Sequence, residues 1–160
     1  GNGYKAEAVI VGCTHIIGNQ NESAQKRAYA YYIRGNVYAN KGDLERAIAN
    51  YTEAIKLDPE DASIYDARGN IYSRKGDFDG AVADYSKIIQ LKPGEAAAFV
   101  GRGLAYSRAG HFDRAIGDFS KAIEFHPKNF SAYTNRGHVY SEKGDFDRAI
   151  ADYTEAIDIY

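Results

Sequence analysis

The chain has 160 residues, 44% hydrophobic and 26% charged, enough apolar content to bury a core without disulfides or metal. Its 20 Lys and Arg are interleaved with 22 Asp and Glu for a net charge of -2, which speaks against nucleic acid, because phosphate binding needs clustered cations. No apolar run approaches the roughly eighteen residues of a membrane-spanning helix, so a soluble chain is expected, with the cytoplasm and export both left open as its compartment.

The chain begins at Gly1 and contains no Met, which leads us to expect a fragment or processed chain, compatible with loss of a targeting segment. Residues 1–5 superficially resemble a phosphate loop but lack a preceding strand and a Gly-Lys-Ser/Thr ending. Residues 9–17 can be laid over residues 47–55, with Cys13 in the slot of Tyr51. The expectation is an isolated helix that covers the first full repeat, then a longer polar loop through residues 18–22, then a helix capped at or near Ser23. Cys13 has no second cysteine to pair with and reads as a small buried apolar residue.

From residue 28 the chain is periodic. Arg34-Gly35, Arg68-Gly69, Arg102-Gly103 and Arg136-Gly137 recur every 34 residues, the mark of a repeat architecture. Around each pair stand two aromatic columns, Tyr31, Tyr65, Phe99 and Tyr133 before it and Tyr38, Tyr72, Tyr106 and Tyr140 after it. Residues three and four apart share a helix face, so the Gly lies where a second helix approaches, and close packing has to offset its cost of about 1 kcal/mol against Ala. Gly42, Gly76, Gly110 and Gly144 suit the left-handed residue that ends a helix. Asp43, Asp77 and Asp145 follow as caps of the second helix, His111 being the weak one. That helix repeats Ala47, Tyr51 and Ala54 with their equivalents, Ile88 replacing the last Ala once. Pro59, Pro93 and Pro127 forbid its continuation. Asp61 and Asn129 start the next helix, with Glu95 a poorer cap at that place. The segments expected are a capping helix and loop over 1–27, repeats over 28–61, 62–95 and 96–129, and a fourth repeat over 130–160 that stops one residue before its proline falls due, so that Tyr160 is not expected to be a natural boundary.

The Gly, Tyr, Ala, aromatic, Ala and Pro columns of residues 28–160 resemble the tetratricopeptide repeat family in order and period. The resemblance implies an all-α fold, a right-handed superhelical solenoid of helix-turn-helix repeats whose first helices line a concave groove. The Arg column departs from the family's usual bulky aliphatic residue, and the Arg-Gly pair looks like the variety common in bacterial members.

Catalysis, cofactors and metal are not expected. His15, His111, His126 and His138 have no zinc spacing, and Asp84, Asp118 and Asp152 recur at the repeat period, which marks architecture rather than an acid–base pair. The aromatic columns read as helix packing rather than as a base-stacking platform. Pentatricopeptide RNA binders are disfavoured by both period and charge. Arg34, Arg68, Arg102 and Arg136, set among packed aromatics, are expected to pair with the Asn50, Asp84, Asp118 and Asp152 column as a structural ladder, since buried charges need partners.

Function in a repeat protein is best sought at positions that vary between repeats. By the resemblance, the groove-facing set is Tyr29, Tyr32, Ile33, Asn36 and Asn40 in the first repeat and Asp66, Asn70, Ser73 and Arg74 in the second. It continues with Val100, Leu104 and Arg108 in the third and Thr134, Asn135, His138 and Glu142 in the fourth. Asn36 and Asn70 suit bonding to an extended peptide backbone. The expected role is a non-catalytic scaffold for a protein or peptide ligand. Chaperone-tail binding by the family's carboxylate clamp is rejected: Asn36 matches one clamp asparagine, but Tyr32 stands where the first lysine belongs, Ala67 replaces the second asparagine, and Ala97 and Gly101 replace the other basic pair. The alternatives are self-association, including a homodimer, through Ile150, Tyr153, Ala156, Ile157 and Ile159 of the last helix, or service as the interaction module of a larger protein or enzyme.

Overall fold

The computed structural model describes residues 2–159, with side chains from Tyr4 onward; Gly1 and Tyr160, the outer limits of the first and last expected segments, lie outside the described residues. Among the described residues there are nine α-helices and no strand. They are α1 (Asn2–Gly18), α2 (Ala24–Asn40), α3 (Leu44–Leu57), α4 (Ala62–Lys75), α5 (Phe78–Leu91), α6 (Ala96–Arg108), α7 (Phe112–Phe125), α8 (Phe130–Glu142) and α9 (Phe146–Ile159). The chain is an all-α helical-repeat solenoid. Residues 2–5 are helical, which disposes of the phosphate-loop likeness. Two compact units divide the chain, Gly1–Gly76 with α1–α4 and Asp77–Tyr160 with α5–α9.

The helix ends follow the cap chemistry closely. Gly42, Gly76, Gly110 and Gly144 all have φ between 77° and 81°, a conformation that costs a residue with a Cβ. Asp43, Asp77, Asp145 and Asn129 accept from the backbone N–H three residues on, and Asp61 accepts from Ser63 N, two residues on, at the start of α4. His111 and Glu95 make no side-chain cap bond.

In the first unit α1 packs on α2, α2 on α3 and α3 on α4, and the first helices α2 and α4 also touch. Tyr51 of α3 lies against Gly35, where an added Cβ would stand 2.7 Å from the ring. Ala47 and Ala54 flank it, fully buried. In the second unit α5 packs on α6, and the series runs on through α7, α8 and α9, with α6 touching α8. There Phe119 meets Gly103 in the same way.

The N-terminal register departs from the repeat by four residues. Arg34 reaches a hydroxyl 20 residues back, whereas Arg68, Arg102 and Arg136 each reach one 16 residues back. Lys41 pairs with Glu7, 34 residues back, whereas Lys75 and Lys143 pair 30 residues back. The sequence suggested a longer loop. The extra length is instead mostly helix, for α2 has 17 residues against 14 in α4 and 13 in α6. Ser23 is the N-cap of this added turn and accepts from Lys26 N at 3.1 Å. Ser23→Ala is expected to cost about 1 kcal/mol, read as a lower urea midpoint with an unchanged slope.

Candidate functional site

The arginine column is structural. Arg102 lies between Phe99 and Tyr106, its carbon 5.7 Å and 6.0 Å from their ring centres. Its Nε and Nη2 donate to the two oxygens of Asp118 at 2.8 Å and 2.7 Å. Arg136 forms the same fork on Asp152, and both carboxylates are buried. These hydrogen bonds hold both guanidinium groups above their ordinary range. In the first unit Arg34 Nε donates to Asn50 Oδ1 at 2.8 Å, and the Asn50 amide is anchored to Arg46 O.

Sequence reasoning missed two further rungs. The third guanidinium nitrogen crosses to the preceding second helix: Arg68 Nη1 to Thr52 Oγ1, Arg102 to Ser86 and Arg136 to Ser120. Arg34 reaches Thr14 of α1 in the same manner at 2.9 Å, so α1 packs on α2 in the place of a second helix. The lysine rungs are the other omission. The signal for both was in the sequence, as a hydroxyl two residues after each of Asn50, Asp84, Asp118 and Asp152 and an acid at the start of each second helix, but only the ladder showed its purpose.

The groove positions take no part in this ladder, and each is exposed or half-buried. In the first unit Tyr29, 64% exposed, sits 6.3 Å from Tyr32, which sits 6.0 Å from Tyr51. Tyr51 Oη donates to Asn36 Oδ1 at 2.7 Å, and burial pushes its phenol up to about 12, so it remains a neutral donor. The Asn36 amide nitrogen has no partner among the described residues. Asn70 differs: its amide donates to Asp66 O at 2.8 Å and to Asp66 Oδ2 at 3.2 Å. Ile33 and Ser73 are half-buried, and Asn40 and Arg74 are exposed.

In the second unit the apolar groove positions also serve packing. Val100 and Leu104 rest against the cluster of Ala115, Phe119 and Val139. Thr134 Oγ1 and Asn135 Nδ2 donate to the carbonyls of Phe130 and Ser131 in their own helix. Arg108, His138 and Glu142 are exposed.

The last helix presents a mixed face. Ile150 and Ile157 are 63% and 73% exposed, and Ile159 is half-buried. Tyr153 packs on Gly137 of α8, and Ala156 is buried, so these two belong to the hairpin interior rather than to an open self-association surface.

Among the described residues no group of His, Cys, Asp and Glu is arranged to hold a metal, and no helix is long and apolar enough to cross a membrane. Cys13 is buried, and burial pushes its thiol up, away from reactivity.

Comparison with known families and structures gives a consistent picture. The family described as TPR repeat matches residues 35–76 and 69–110, and Tetratricopeptide repeat families match residues 96–129 and 130–160. Among curated proteins none matches the chain. Solved structures do. A crystal structure of MamA is 26% identical with a TM-score of 0.77, over 82% of this chain and 77% of that one. MamA 41-end from Desulfovibrio magneticus RS-1 is 22% identical with a TM-score of 0.77, over 82% and 75%. The first TPR of Spaghetti (RPAP3), bound to the HSP90 peptide SRMEEVD, is 24% identical with a TM-score of 0.70, over 75% and 95%.

Proposed function

The chain belongs to the tetratricopeptide repeat family, and on that premise we propose that it is a non-catalytic scaffold holding a protein or peptide partner against its first-helix faces. The observation that carries this reading is a division of labour. The repeated Arg, Gly, Ala and aromatic columns are consumed by packing, while the first-helix positions that differ between repeats stay at least partly exposed. Tyr29, Tyr32 and Asn36 make the best-equipped stretch: two neighbouring tilted rings give contact area at small entropic cost, and the Asn36 amide nitrogen, without a partner among the described residues, suits a backbone carbonyl. A structural neighbour holding a peptide supports the reading at the level of fold.

The test is binding of peptides selected from a random library on the whole chain. Replacing Tyr32 and Asn36 by Ala together is expected to weaken the selected peptides at least about tenfold, or ~1.4 kcal/mol. Lys121→Ala, which removes only an exposed i,i+3 ion pair on α7, leaves them unchanged. Equal affinity for the double variant and the parent would refute the assignment to this stretch.

A further inference from the structure

The outward face of α9 repeats the face with which α7 holds α8. In α7, Ser120 Oγ accepts from Arg136 at 2.8 Å, Asp113 takes Lys143, and Ile116 and Ile123 are half-buried. Thirty-four residues on, α9 carries Thr154, Asp147, Ile150 and Ile157 at the same spacing. Thr154 Oγ1 donates to Ile150 O at 2.8 Å, as Ser120 Oγ donates to Ile116 O at 2.7 Å. The hydroxyl is therefore oriented as in the occupied copy, yet it accepts from no described residue, and Asp147 makes no ion pair among them. The first unit repeats the device. Thr14 and Glu7 of α1 hold Arg34 and Lys41 of α2.

We propose that this face of α9 is a docking site for a helix of a partner protein that carries an arginine and, seven residues later, a lysine, with a small residue beside the arginine. The spacing is read from the molecule, since Arg34 and Lys41, Arg68 and Lys75, and Arg136 and Lys143 all stand seven apart with Gly after the arginine, on one face of a helix. Charge selects the partner. Asp147, Glu155 and Asp158 are exposed on α9 and make no ion pair among the described residues, while Arg148 is taken by Asp145. A second copy is a poor occupant for two reasons. Two α9 faces laid together would set acid against acid, and the chain's own Arg–Lys helices already spend their arginines on Thr14, Thr52 and Ser120 and their lysines on Glu7, Glu45 and Asp113.

The site is separate from the groove, and its test does not depend on the groove reading. The probe is a synthetic peptide with the sequence of residues 130–143, held helical by a staple on the side away from its arginine and lysine, titrated into the whole chain by backbone-amide NMR at low salt. Shifts are expected along residues 147–158. Replacing the peptide's arginine by Ala is expected to weaken binding about tenfold, and so are Thr154→Val and Asp147→Lys in the protein. A peptide with Glu for its lysine is expected to recover binding to the Asp147→Lys protein, which a merely structural role of Asp147 would not produce. The Tyr32→Ala, Asn36→Ala double variant is expected to bind the peptide normally. No binding at millimolar peptide, shifts confined to the groove, or a chain whose mass rises with concentration until Ile157→Glu restores the monomer would each overturn the proposal, the last in favour of a second copy.

Discussion

Asp118→Ala is expected to lower the stability of the second unit by about 3 kcal/mol, the lower end of the range for breaking a buried pair. The lower end applies because the Arg102 side chain retains 21% of its exposure, against 9% for Asp118, and water recovers part of the lost interaction. The reason for so large an effect is not the strength of the pair but what its loss leaves behind. The guanidinium would stay between Phe99 and Tyr106 with Ser86 as its remaining partner, a charge largely removed from water and half-satisfied. The molecule contains its own control. Asn50 fills the same slot in the first repeat and accepts from Arg34 at 2.8 Å, so Asp118→Asn is expected to cost only about 1 kcal/mol. Replacing the pair together, with Arg102→Met and Asp118→Leu, is expected to regain most of the loss, since apolar residues of similar volume often match a buried pair. Urea unfolding followed by circular dichroism measures all three; an alanine variant no weaker than an ordinary surface substitution would mean the ladder is ornamental.

Gly103→Ala is expected to destabilise by about 1–3 kcal/mol, although Ala is the better helix former by about 1 kcal/mol. The added Cβ would stand 2.7 Å from Cε1 and 3.0 Å from Cδ1 of Phe119. That ring is 0% exposed and has no room to retreat. Gly117→Ala reverses the sign. Gly117 also lies in a helix, but a Cβ there meets nothing within 4 Å, so the propensity gain is expected to stand alone, at about +0.5 to +1 kcal/mol. The clash itself is isolated by a cycle: in a Phe119→Leu background, Gly103→Ala is expected to become about 1 kcal/mol less costly. Equal costs in both backgrounds would show that the ring is not what the glycine accommodates.

The aromatic groove differs from these sites in how far it was legible. Tyr29 and Tyr32 were placed by the family resemblance, and the first is exposed while the second is half-buried. Asn36 and Asn70 looked equivalent as letters, yet Tyr51 orients the first while Asp66 occupies the second. Which hydrogen bond an amide makes depends on neighbours that a single column does not reveal. Val100 and Leu104 were placed in the groove-facing set by the same resemblance, and they also lean on the core, because apolar side chains at a groove edge are drawn toward whatever apolar surface lies beneath them.

Order, type and ends of the helices were determined by the sequence itself, because caps, left-handed glycines and prolines act within a few residues and the 34-residue period repeats each local decision. The pairing of Arg102 with Asp118 was equally readable, since a buried charge leaves few acceptable partners and the period named one. Tertiary structure alone decided what crosses between hairpins. It sent the third arginine nitrogen to Ser86 and Ser120, turned the four extra N-terminal residues mostly into helix, and set α1 against α2 in the place of a second helix. It also separated the inward Ala156 from the outward Ile157 on one short helix. These outcomes depend on distances between segments far apart in the chain, where burial and hydrogen-bond geometry choose among side chains that look alike in sequence.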